Sequence, residues 1–327
     1  MEKLTVQKLF NELNKKLRLE LLNSDRGFKR LINEPDLHRP GLALSGFVEV
    51  FTYKRVQIMG NSEHGYLKTL SPSDRTRAIQ TLLSFELPCL IVTESNEPPA
   101  ELVNGADEKG ICIFRTSFKT TRLMHLLSDY MDDKFAPKVT VHGSLVDVYG
   151  IGLLFTGRSA IGKSEIALDL VERGHRLVAD DVVNIARKAE GILIGTASEI
   201  LQHHMEIRGL GIVDVHSVFG IRAIRVQKRV EVVVHLEEWD DEADYERIGL
   251  DESSTKILDV EIPLIKLPIF PGKNITVIAE VVALNQLLKI YGVYPAKRFN
   301  ERLIKKMQQK SPILDKYMDF YLDRDFE

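Results

Sequence analysis

The feature that most constrains this chain is a glycine motif that lies between two apolar segments of different periodicity. Residues 157–164 read GRSAIGKS and match the pattern GxxxxGK[ST]. The residues before the motif, GIGLLF, have the composition of a buried strand. The segment after it has an apolar face at helical spacing, formed by Ile166, Ala167, Leu170 and Val171. In a strand, loop and helix of this kind, backbone N–H groups wrap a phosphate chain at the helix N-terminus, so the sequence predicts a nucleotide-binding loop.

The residue types in the motif suit phosphate chemistry. Glycine lets the backbone turn close to phosphates, Lys163 can reach the β and γ oxygens, and the Ser164 hydroxyl can ligate Mg²⁺. The cradle as a whole would consist of Gly157, Arg158, Ser159, Ala160, Ile161, Gly162, Lys163 and Ser164. The alternative is a glycine-rich turn that ends in a surface lysine, but chance would produce this pattern in roughly one chain in a hundred of this length.

Two acidic residues, Asp180 and Asp181, close the next apolar run, HRLVA. The C-terminal end of a strand beside the glycine motif would place carboxylates near a metal ion and a transferring phosphoryl group. Adjacent strand residues point to opposite sides, so one carboxylate can face the site while the other holds a loop. The sequence alone leaves open whether both are turn residues.

A third segment, residues 205–212, combines a carboxylate, a guanidinium and two glycines, which predicts a loop built for close approach. Glu206 could be a second Mg²⁺ ligand or could form a surface ion pair with Arg208, and the sequence does not choose between them. His203 and His204 adjoin this segment without a partner at metal-ligand spacing, so we assign no zinc site to them.

The length of 327 residues predicts two domains. A polar stretch that ends at Pro137 places the boundary after residue 133, which gives a mixed α/β domain over 1–133, of uncertain role, and a second domain over 134–327. The predicted helices are one with leucines at 4, 9, 13 and 17, and those at 120–131, 166–173, 279–290 and 296–309. The predicted strands are 46–51, 56–59, 88–93, one long strand over 145–157, 176–178, 192–194 and 230–236.

Charge and cysteine content narrow the possible surroundings and partners. Lys and Arg number 44 against 47 Asp and Glu, a formal charge of -3, which argues against a protein that binds a nucleic-acid backbone. Cys89 and Cys112 are the only cysteines, which suits a reducing compartment. The N-terminus lacks the apolar core of a signal peptide, and no apolar run reaches the roughly 18 residues of a membrane span. We therefore expect a cytoplasmic protein without a membrane partner.

Several segments together resemble the HPr kinase/phosphorylase family. VHGSLVDVYGIG, the glycine motif, GHRLVADDVV, MEIRGLGIVDV and PIFPGKN occur in the order and spacing of that family, and HRPGLALSGF and RVQIMGNSEHGYL in the first half are also similar to it. The resemblance covers essentially the whole chain. It implies a mixed α/β N-terminal domain, a C-terminal P-loop kinase domain and assembly as a homohexamer.

The resemblance also implies an activity. Such an enzyme uses ATP and Mg²⁺ to phosphorylate a serine of the phosphocarrier protein HPr, and removes that phosphate by attack of inorganic phosphate, releasing pyrophosphate. The implied roles are as follows: Lys163 holds nucleotide phosphates, Ser164 and Glu206 ligate Mg²⁺, Asp181 exchanges the seryl proton, and His142 and Arg247 are two further catalytic residues. Residues 205–214 resemble a signature used in both directions, and residues 268–273 a loop used mainly in dephosphorylation.

The chain departs from the family pattern at four positions. Arg158 and Ala160 replace a usual Asp and Gly in the glycine motif, and Phe270 and Lys273 replace two arginines of the late loop. Because a guanidinium can hold inorganic phosphate in two contacts, we expect weakened phosphorolysis. Two other functions remain open: a nucleotide-binding regulatory or scaffold protein with little phosphotransfer, and an ATP-dependent kinase of small molecules. The second is disfavoured because no arginine-rich lid follows the glycine motif before Leu250.

Overall fold

A computed structural model describes residues 3–188, 191–240, 253–270 and 272–307 of the chain. The chain divides into two compact units, Met1–Ala136 and Pro137–Glu327. The predicted boundary after residue 133 lies a few residues before this division. Both units are mixed α/β, as the sequence predicts.

The first unit contains a five-stranded sheet between two layers of helices. Its strands are β1 Glu20–Leu21, β2 Leu37–His38, β3 Val56–Met59, β4 Cys89–Val92 and β5 Cys112–Arg115. Its helices are α1 Val6–Leu17, α2 Gly41–Leu44, α3 Asn61–Thr69, α4 Pro72–Leu83, α5 Ala100–Glu108 and α6 Thr120–Phe135. The strand order is β1-β5-β4-β3-β2, in which β2 to β5 are parallel and β1 is antiparallel to β5. Helices α1 and α6 pack on one face, and α2, α4 and α5 pack on the other.

Helix α1 confirms the leucine periodicity. The Thr5 hydroxyl accepts a hydrogen bond from Lys8 N at 3.2 Å, which caps the helix start. Leu9, Leu13 and Leu17 are all buried on one face. Fully burying a leucine stabilises a fold by about 1.5 to 3 kcal/mol, so this face anchors the helix on the sheet.

The predicted strand at 46–51 is wrong. Gly46 has φ 98°, and Phe47 N donates to Leu42 O at 3.0 Å, so the chain reverses at the end of α2. The remaining apolar residues follow turns, and Phe51 packs edge-on against Phe85 with ring centroids 5.1 Å apart. Only Phe51 of this run is buried, whereas Phe47 and Val50 are exposed, so the run neither pairs as a strand nor forms a buried face.

The second unit contains twelve described strands and four described helices. Its strands are β6 Lys138–His142, β7 Ser144–Val148, β8 Ile151–Gly157, β9 Arg176–Ala179, β10 Val182–Lys188, β11 Ile192–Ala197, β12 His204–Ile207, β13 Gly211–Asp214, β14 Gln227–Arg229, β15 Val232–Glu238, β16 Ser254–Ile257 and β17 Val260–Ile269. Its helices are α7 Lys163–Glu172, α8 Val215–Phe219, α9 Ile275–Ile290 and α10 Pro295–Met307.

The described part of this unit consists of two large sheets, the two-stranded sheet β12-β13 and a layer of helices. A six-stranded sheet has the order β16-β17-β15-β8-β7-β9, and an antiparallel four-stranded sheet has the order β14-β11-β10-β6. Helices α7 and α9 cover one face of the six-stranded sheet through residues such as Leu153, Phe155 and Leu170. Leu154, Val183 and Val233 belong to a second core, formed where the other face meets the four-stranded sheet. The alternation along β8 thus assigns neighbouring residues to opposite cores.

The predicted long strand over 145–157 is two strands. Tyr149 and Gly150 have φ of 52° and 86°, which makes a tight reversal, and β7 pairs with β8 in antiparallel register. The continuous apolar composition concealed the turn because both strands are buried. Because of this reversal, β8 runs antiparallel to β7 and ends at Gly157, at the C-terminal edge of the parallel strands.

Helices α9 and α10 carry exposed apolar residues. Val277, Val281, Leu284 and Leu288 form a stripe on α9, each between 40% and 57% exposed. Within the described residues, no single helix has the length and apolar character needed to cross a membrane. Only α9 and α10 taken together meet that test, and they are bent by 79° at their junction.

Candidate functional site

Four segments of the second unit meet at one sheet edge. Strands β8, β15 and β17 are parallel, and β9 runs in the same direction because it is antiparallel to β7. Their C-terminal ends carry the glycine loop (residues 157–164), Asp180 with Asp181, Trp239, and the late loop (residues 268–273). The crevice outside such strand ends is the usual ligand position in α/β sheets.

The glycine loop has a backbone that its two outer glycines make possible. Gly157 has φ 137°, and a Cβ there would lie 2.5 Å from Leu236 O on β15. Gly162 has φ 101° and immediately precedes α7. No other residue fits position 157 without moving β15, and the first N–H groups of α7 point at the loop interior. The predicted strand, loop and helix are confirmed in order.

Two further residues of the glycine loop, Ala160 and Arg158, have distinct surroundings. Ala160 has φ 68°, a left-handed conformation that costs an L residue about 1 to 2 kcal/mol. Arg158 forms an ion pair with Glu238 at the end of β15. The Arg158 charge is therefore partly satisfied within the protein.

Lys163 closes the loop on itself. Its Nζ donates to Gly157 O at 3.2 Å and to Arg158 O at 2.9 Å. Both acceptors are backbone carbonyls at the start of the loop, so the ammonium lies where it can exchange them for phosphate oxygens. No carboxylate of the described residues forms an ion pair with it.

Asp180 forms the buried polar centre of the site. Its Oδ1 accepts hydrogen bonds from Ser144 Oγ at 2.5 Å and from Ser164 Oγ at 3.1 Å. Its Oδ2 is buried and lacks a partner in the described structure. Burial raises the pKa of Asp180 above its ordinary value, while the two serine hydroxyls and nearby backbone groups of Asp181 and Glu206 oppose the rise. A cation would stabilise this buried carboxylate, because one of its two oxygens has no hydrogen-bond partner in the described structure.

The donor set fits a hard divalent cation. Ser164 Oγ and Asp180 Oδ1 lie 3.1 Å apart, and oxygen atoms are the ligands that Mg²⁺ prefers. Glu206 is exposed on β12, with Met205 beside it buried in the core. Among the described residues, no group of three or more His, Cys, Asp or Glu side chains could hold a metal by itself. A Mg²⁺ ion here would complete its shell with water and phosphate oxygens, as Mg²⁺ does with nucleotides.

Asp181 and His142 lie next to this centre but face solvent. Asp181 has φ 61° and is exposed, in contrast to buried Asp180. Gly143 N donates to Asp181 O at 3.1 Å, and the register of β6 with β10 places His142 opposite Val182. The structure therefore brings both residues to the same edge, with one carboxylate of the tandem buried and the other accessible.

Residues 205–212 form a hairpin and not the predicted loop. Strands β12 and β13 pair Glu206 with Ile212, and the turn between them contains Gly209 at φ 85°. Arg208 Nη2 donates to Ser159 Oγ of the glycine loop at 3.3 Å. No ion pair joins Glu206 to Arg208, although the structure describes both, so the surface-pair interpretation of Glu206 is wrong.

The late loop is held by aromatic contacts. The Phe270 ring packs edge-on against Trp239 at 5.1 Å, and Lys273 Nζ lies 5.1 Å from the centre of the Phe270 ring. Lys273 Nζ also donates to Pro268 O at 3.2 Å. Phe270 and Lys273 thus both have partners within the chain. Pro271 and Arg247 lie outside the described residues.

Sequence reasoning missed three residues of this edge. Ser144 bonds Asp180, Glu238 pairs with Arg158, and Trp239 packs on Phe270. Glu238 and Trp239 belong to the acidic stretch 237–252, where they resemble any solvated segment. Ser144 follows His142 and Gly143 in sequence, but its contact depends on a pairing of strands that no local pattern reveals.

Comparison with known proteins covers both units. Residues 4–131 match the family described as HPr Serine kinase N terminus, and residues 133–303 match HPr Serine kinase C-terminal domain. The chain is 55% identical over 306 residues to an HPr kinase/phosphorylase of Prosthecochloris aestuarii, covering 93% of this chain and 90% of that protein. It is 50% identical over 328 residues to that of Chloroherpeton thalassium, covering 99% and 96%.

A solved structure is also similar. The Hpr(Ser) kinase/phosphatase of Coxiella burnetii shares 32% identity and covers 50% of this chain and 99% of its own, with a TM-score of 0.44. The family matches span nearly the whole chain, and the curated relatives align over most of their own lengths. The chain therefore belongs to the HPr serine kinase family of kinase/phosphorylase enzymes.

Proposed function

We propose that this chain transfers the γ-phosphoryl group of ATP to a serine of the phosphocarrier protein HPr, and that it catalyses the reverse phosphorolysis weakly. The observation that carries the proposal is the pairing of a buried carboxylate with an accessible one. Asp180 contacts Ser164 and keeps one oxygen unpaired, while adjacent Asp181 is exposed at the same edge. Phosphoryl transfer needs charge neutralisation and an oriented hydroxyl, and this pair divides those two tasks.

Binding of ATP falls to the glycine loop. In this proposal residues 157–164 wrap the phosphates with backbone N–H groups, and Lys163 exchanges its two carbonyl partners for β and γ oxygens. Ser164, Asp180 and Glu206 would hold Mg²⁺, which would supply positive charge to neutralise the phosphoryl oxygens. Arg208 positions the loop through Ser159.

The proton of the substrate serine is transferred at the solvent-exposed side of the sheet edge. Asp181 accepts the proton of the attacking seryl hydroxyl in the kinase direction and returns it in the reverse. Its exposure gives a protein substrate access to the carboxylate, which buried Asp180 does not allow. His142, exposed beside Asp181, and Arg247 are proposed as further catalytic residues that contact the reacting phosphate.

The proposed weakness of the reverse reaction follows from the late loop. Phosphorolysis would use inorganic phosphate and release pyrophosphate, and two anions must then approach each other. Phe270 offers no donor, and Lys273 is stacked on Phe270 and bonded to Pro268 O. A loss of bidentate positioning raises the barrier to phosphorolysis by roughly a few kcal/mol without affecting attack on ATP.

This direction is tested with the double variant Phe270→Arg, Lys273→Arg. We expect pyrophosphate release from phosphorylated HPr in excess inorganic phosphate to increase by at least about tenfold, since restored forks grip phosphate, while forward transfer changes little. Phe299→Arg with Lys297→Arg, on exposed α10 positions, provides the charge-matched control. Vigorous native phosphorolysis that the double variant fails to improve would contradict the proposal.

We also propose that the chain assembles as a homohexamer in the cytoplasm. The exposed stripe Val277, Val281, Leu284 and Leu288 supports self-association, because monomeric proteins rarely leave such a contiguous apolar face in water. Two free thiols, Cys89 and Cys112, support a reducing compartment. Sedimentation of the native chain and of Val281→Glu tests the assembly, and a native monomer would refute it.

The main activity is tested by incubating the purified chain with labelled ATP, Mg²⁺ and HPr, and by mapping the phosphorylated residue. Label on one serine of HPr is expected. ATP binding without transfer would favour a regulatory protein instead, and label on small molecules alone would favour a metabolite kinase.

A further inference from the structure

Two segments of the chain cross between the large sheets of the second unit at one shared corner. The first segment links β6 of the four-stranded sheet to β7 of the six-stranded sheet through the single residue Gly143. The second links β9 of the six-stranded sheet to β10 of the four-stranded sheet through Asp180 and Asp181. Because β6 pairs with β10 and β7 pairs with β9, the two crossings lie side by side. The residues next to Gly143 therefore meet the acidic tandem.

The backbone fixes the first crossing in place. A Cβ on Gly143 would lie 2.3 Å from Phe155 O on β8, so only glycine allows the chain to pass this close to the strand. Gly143 N also donates to Asp181 O at 3.1 Å, which joins the two crossings through their main chains. Ser144, the next residue, therefore begins β7 from a fixed position beside the tandem.

The second crossing is a tight turn that separates its two carboxylates. Val182 N donates to Asp180 O at 2.7 Å, and Asp181 between them has φ 61°. A three-residue turn with a positive φ at its centre is a rare and strained form, so contacts around it must hold it. Asp180 is 2% exposed, whereas Asp181 is exposed to solvent. The turn thus places one carboxylate inside the corner and the other outside it.

Two serine hydroxyls donate to the same oxygen of the buried carboxylate. Ser144 Oγ lies 2.5 Å from Asp180 Oδ1, and Ser164 Oγ lies 3.1 Å from it. Ser144 is fully buried on β7, whereas Ser164 is partly exposed in the first turn of α7. Ser164 can therefore turn towards a ligand, while Ser144 is enclosed and keeps its contact. Hydrogen bonds to an ionised oxygen are stronger than those between neutral groups, so the Ser144 contact holds the carboxylate firmly.

We infer that Ser144 is a positioning residue for the divalent cation of the phosphoryl-transfer site. Its hydroxyl holds Asp180 in one orientation when Ser164 turns away, and Asp180 Oδ2, which has no partner in the described structure, stays available to a cation. This role rests on the proposed holding of Mg²⁺ by Ser164 and Asp180. Removing a group that hydrogen-bonds a ligating carboxylate typically weakens metal binding by roughly tenfold to a hundredfold.

Calorimetric titration of the full chain with ADP, in excess Mg²⁺ or in a chelator, measures the role directly. The ratio of the two dissociation constants is the factor by which Mg²⁺ tightens ADP binding. Ser144→Ala should lower this factor by about tenfold and leave ADP affinity in the chelator unchanged, because the glycine loop is intact. The Mg²⁺ concentration for half-maximal transfer to HPr should rise by a similar factor, while kcat at saturating Mg²⁺ changes little.

Two matched variants isolate the hydroxyl of Ser144. Ser144→Thr keeps a hydroxyl at this position and should retain the native Mg²⁺ factor. Thr116→Val removes a hydroxyl of the first unit that is 1% exposed and donates to Leu17 O at 2.6 Å, and it should also leave the factor unchanged. A native factor in Ser144→Ala, or equal losses in Ser144→Ala and Thr116→Val, would overturn the positioning role.

A double-mutant cycle tests whether Ser144 acts through Asp180, and it decides alone if the extra methyl group of Ser144→Thr disturbs the fold. Asp180→Asn should itself lower the Mg²⁺ factor, and adding Ser144→Ala should then have no further effect. An undiminished further loss would show that Ser144 acts by another route and would overturn the role. If Mg²⁺ leaves ADP affinity of the native chain unchanged, the proposed metal assignment fails, and the role of Ser144 fails with it.

Discussion

In both units, polar residues follow the C-terminal ends of parallel strands, but the two sets of residues differ in how fully they are hydrogen-bonded. In the first unit, the C-terminal ends of β3, β4 and β5 are followed by polar residues that satisfy one another. Thr93 and Thr120 share a hydrogen bond of 2.7 Å, and Asn61 Nδ2 donates to Glu94 Oε2 at 2.7 Å. Glu63 Oε2 accepts from Gly60 N at 2.9 Å and from Arg39 Nη2 at 2.7 Å.

In the second unit, the corresponding groups remain partly unpaired. Asp180 keeps one buried oxygen without a partner in the described structure, and Asp181 and Glu206 are exposed. Paired polar groups stabilise a fold, whereas a buried oxygen without a partner gains a favourable contact when a ligand binds it. The same strand geometry therefore gives a structural edge in one unit and a reactive edge in the other.

The largest expected effect comes from removing one lysine, which should abolish activity in the second unit and have no effect in the first. Lys163→Ala should reduce phosphotransfer by at least about a thousandfold, because the cation neutralises phosphate charge in the transition state. The fold should persist, since Lys163 Nζ contacts only loop carbonyls. Transfer assays and thermal melts check both statements. Lys119→Ala, at the start of α6 in the first unit, is the control and should retain full transfer.

A second prediction divides the acidic tandem. Asp181→Asn should lower kcat by about a hundredfold to ten-thousandfold with little change in ADP affinity, since proton transfer is expressed in the transition state. Asp180→Asn should instead weaken Mg²⁺-dependent nucleotide binding, because Asp180 contacts Ser164. Kinetics combined with ADP titrations test the division. Greater loss of kcat in Asp180→Asn at equal nucleotide affinity would reverse these roles.

Substitutions at the hydrogen-bonded strand ends of the first unit should lower stability and leave catalysis unchanged. Glu63→Ala removes a 5% exposed carboxylate that serves both Arg39 and Gly60 N, so we expect a loss of roughly 2 to 3 kcal/mol in unfolding free energy. Denaturant unfolding measures the loss. Asp36→Ala, which removes the exposed partner of Arg55, is the matched control and should cost less than about 1 kcal/mol. A Glu63→Ala variant as stable as the control would show that this edge is not held by its ion pair.

The smallest effect concerns pH. Burial raises the pKa of Asp180 in the folded state, so the folded chain holds its proton to a higher pH than the unfolded chain does. Stability is therefore lost as pH rises from the unfolded pKa through the raised folded pKa. Asp180→Asn should be more stable than the native chain at pH 8 without Mg²⁺, and the difference should shrink below pH 4. Thermal melts across this range, with Asp169→Asn as control, test the sign.

Local sequence patterns predicted the parts of the fold that depend on local physics. The leucine face of α1, the strands at β3 and β4, and the strand, loop and helix around residues 157–172 all follow from periodicity and glycine placement. The run over 145–157 was predicted as one strand because burial on both faces removes the alternation that marks a turn. The strand predicted at 46–51 was wrong because apolar composition alone does not establish strand pairing, and here Phe47 and Val50 lie exposed in turns.

The site residues also divide into those that local sequence predicts and those that depend on contacts distant in sequence. The glycine motif carries its own signal, and the tandem Asp180 and Asp181 was located at a strand end. Which of the two is buried depends on the pairing of β7 with β9 and on Ser144, contacts between residues 36 positions apart in sequence. The pairing of Arg158 with Glu238 spans 80 positions. Such contacts follow from topology, which a single sequence does not encode locally.

The ion pair between Arg158 and Glu238 also bears on how this sequence could have diverged. The two side chains are 63% and 65% exposed, and an ion pair exposed to this degree contributes at most about 1 kcal/mol to stability. Replacing either residue alone leaves the other charge in solvent, so the cost to the fold is small. The two positions can therefore change independently and in either order.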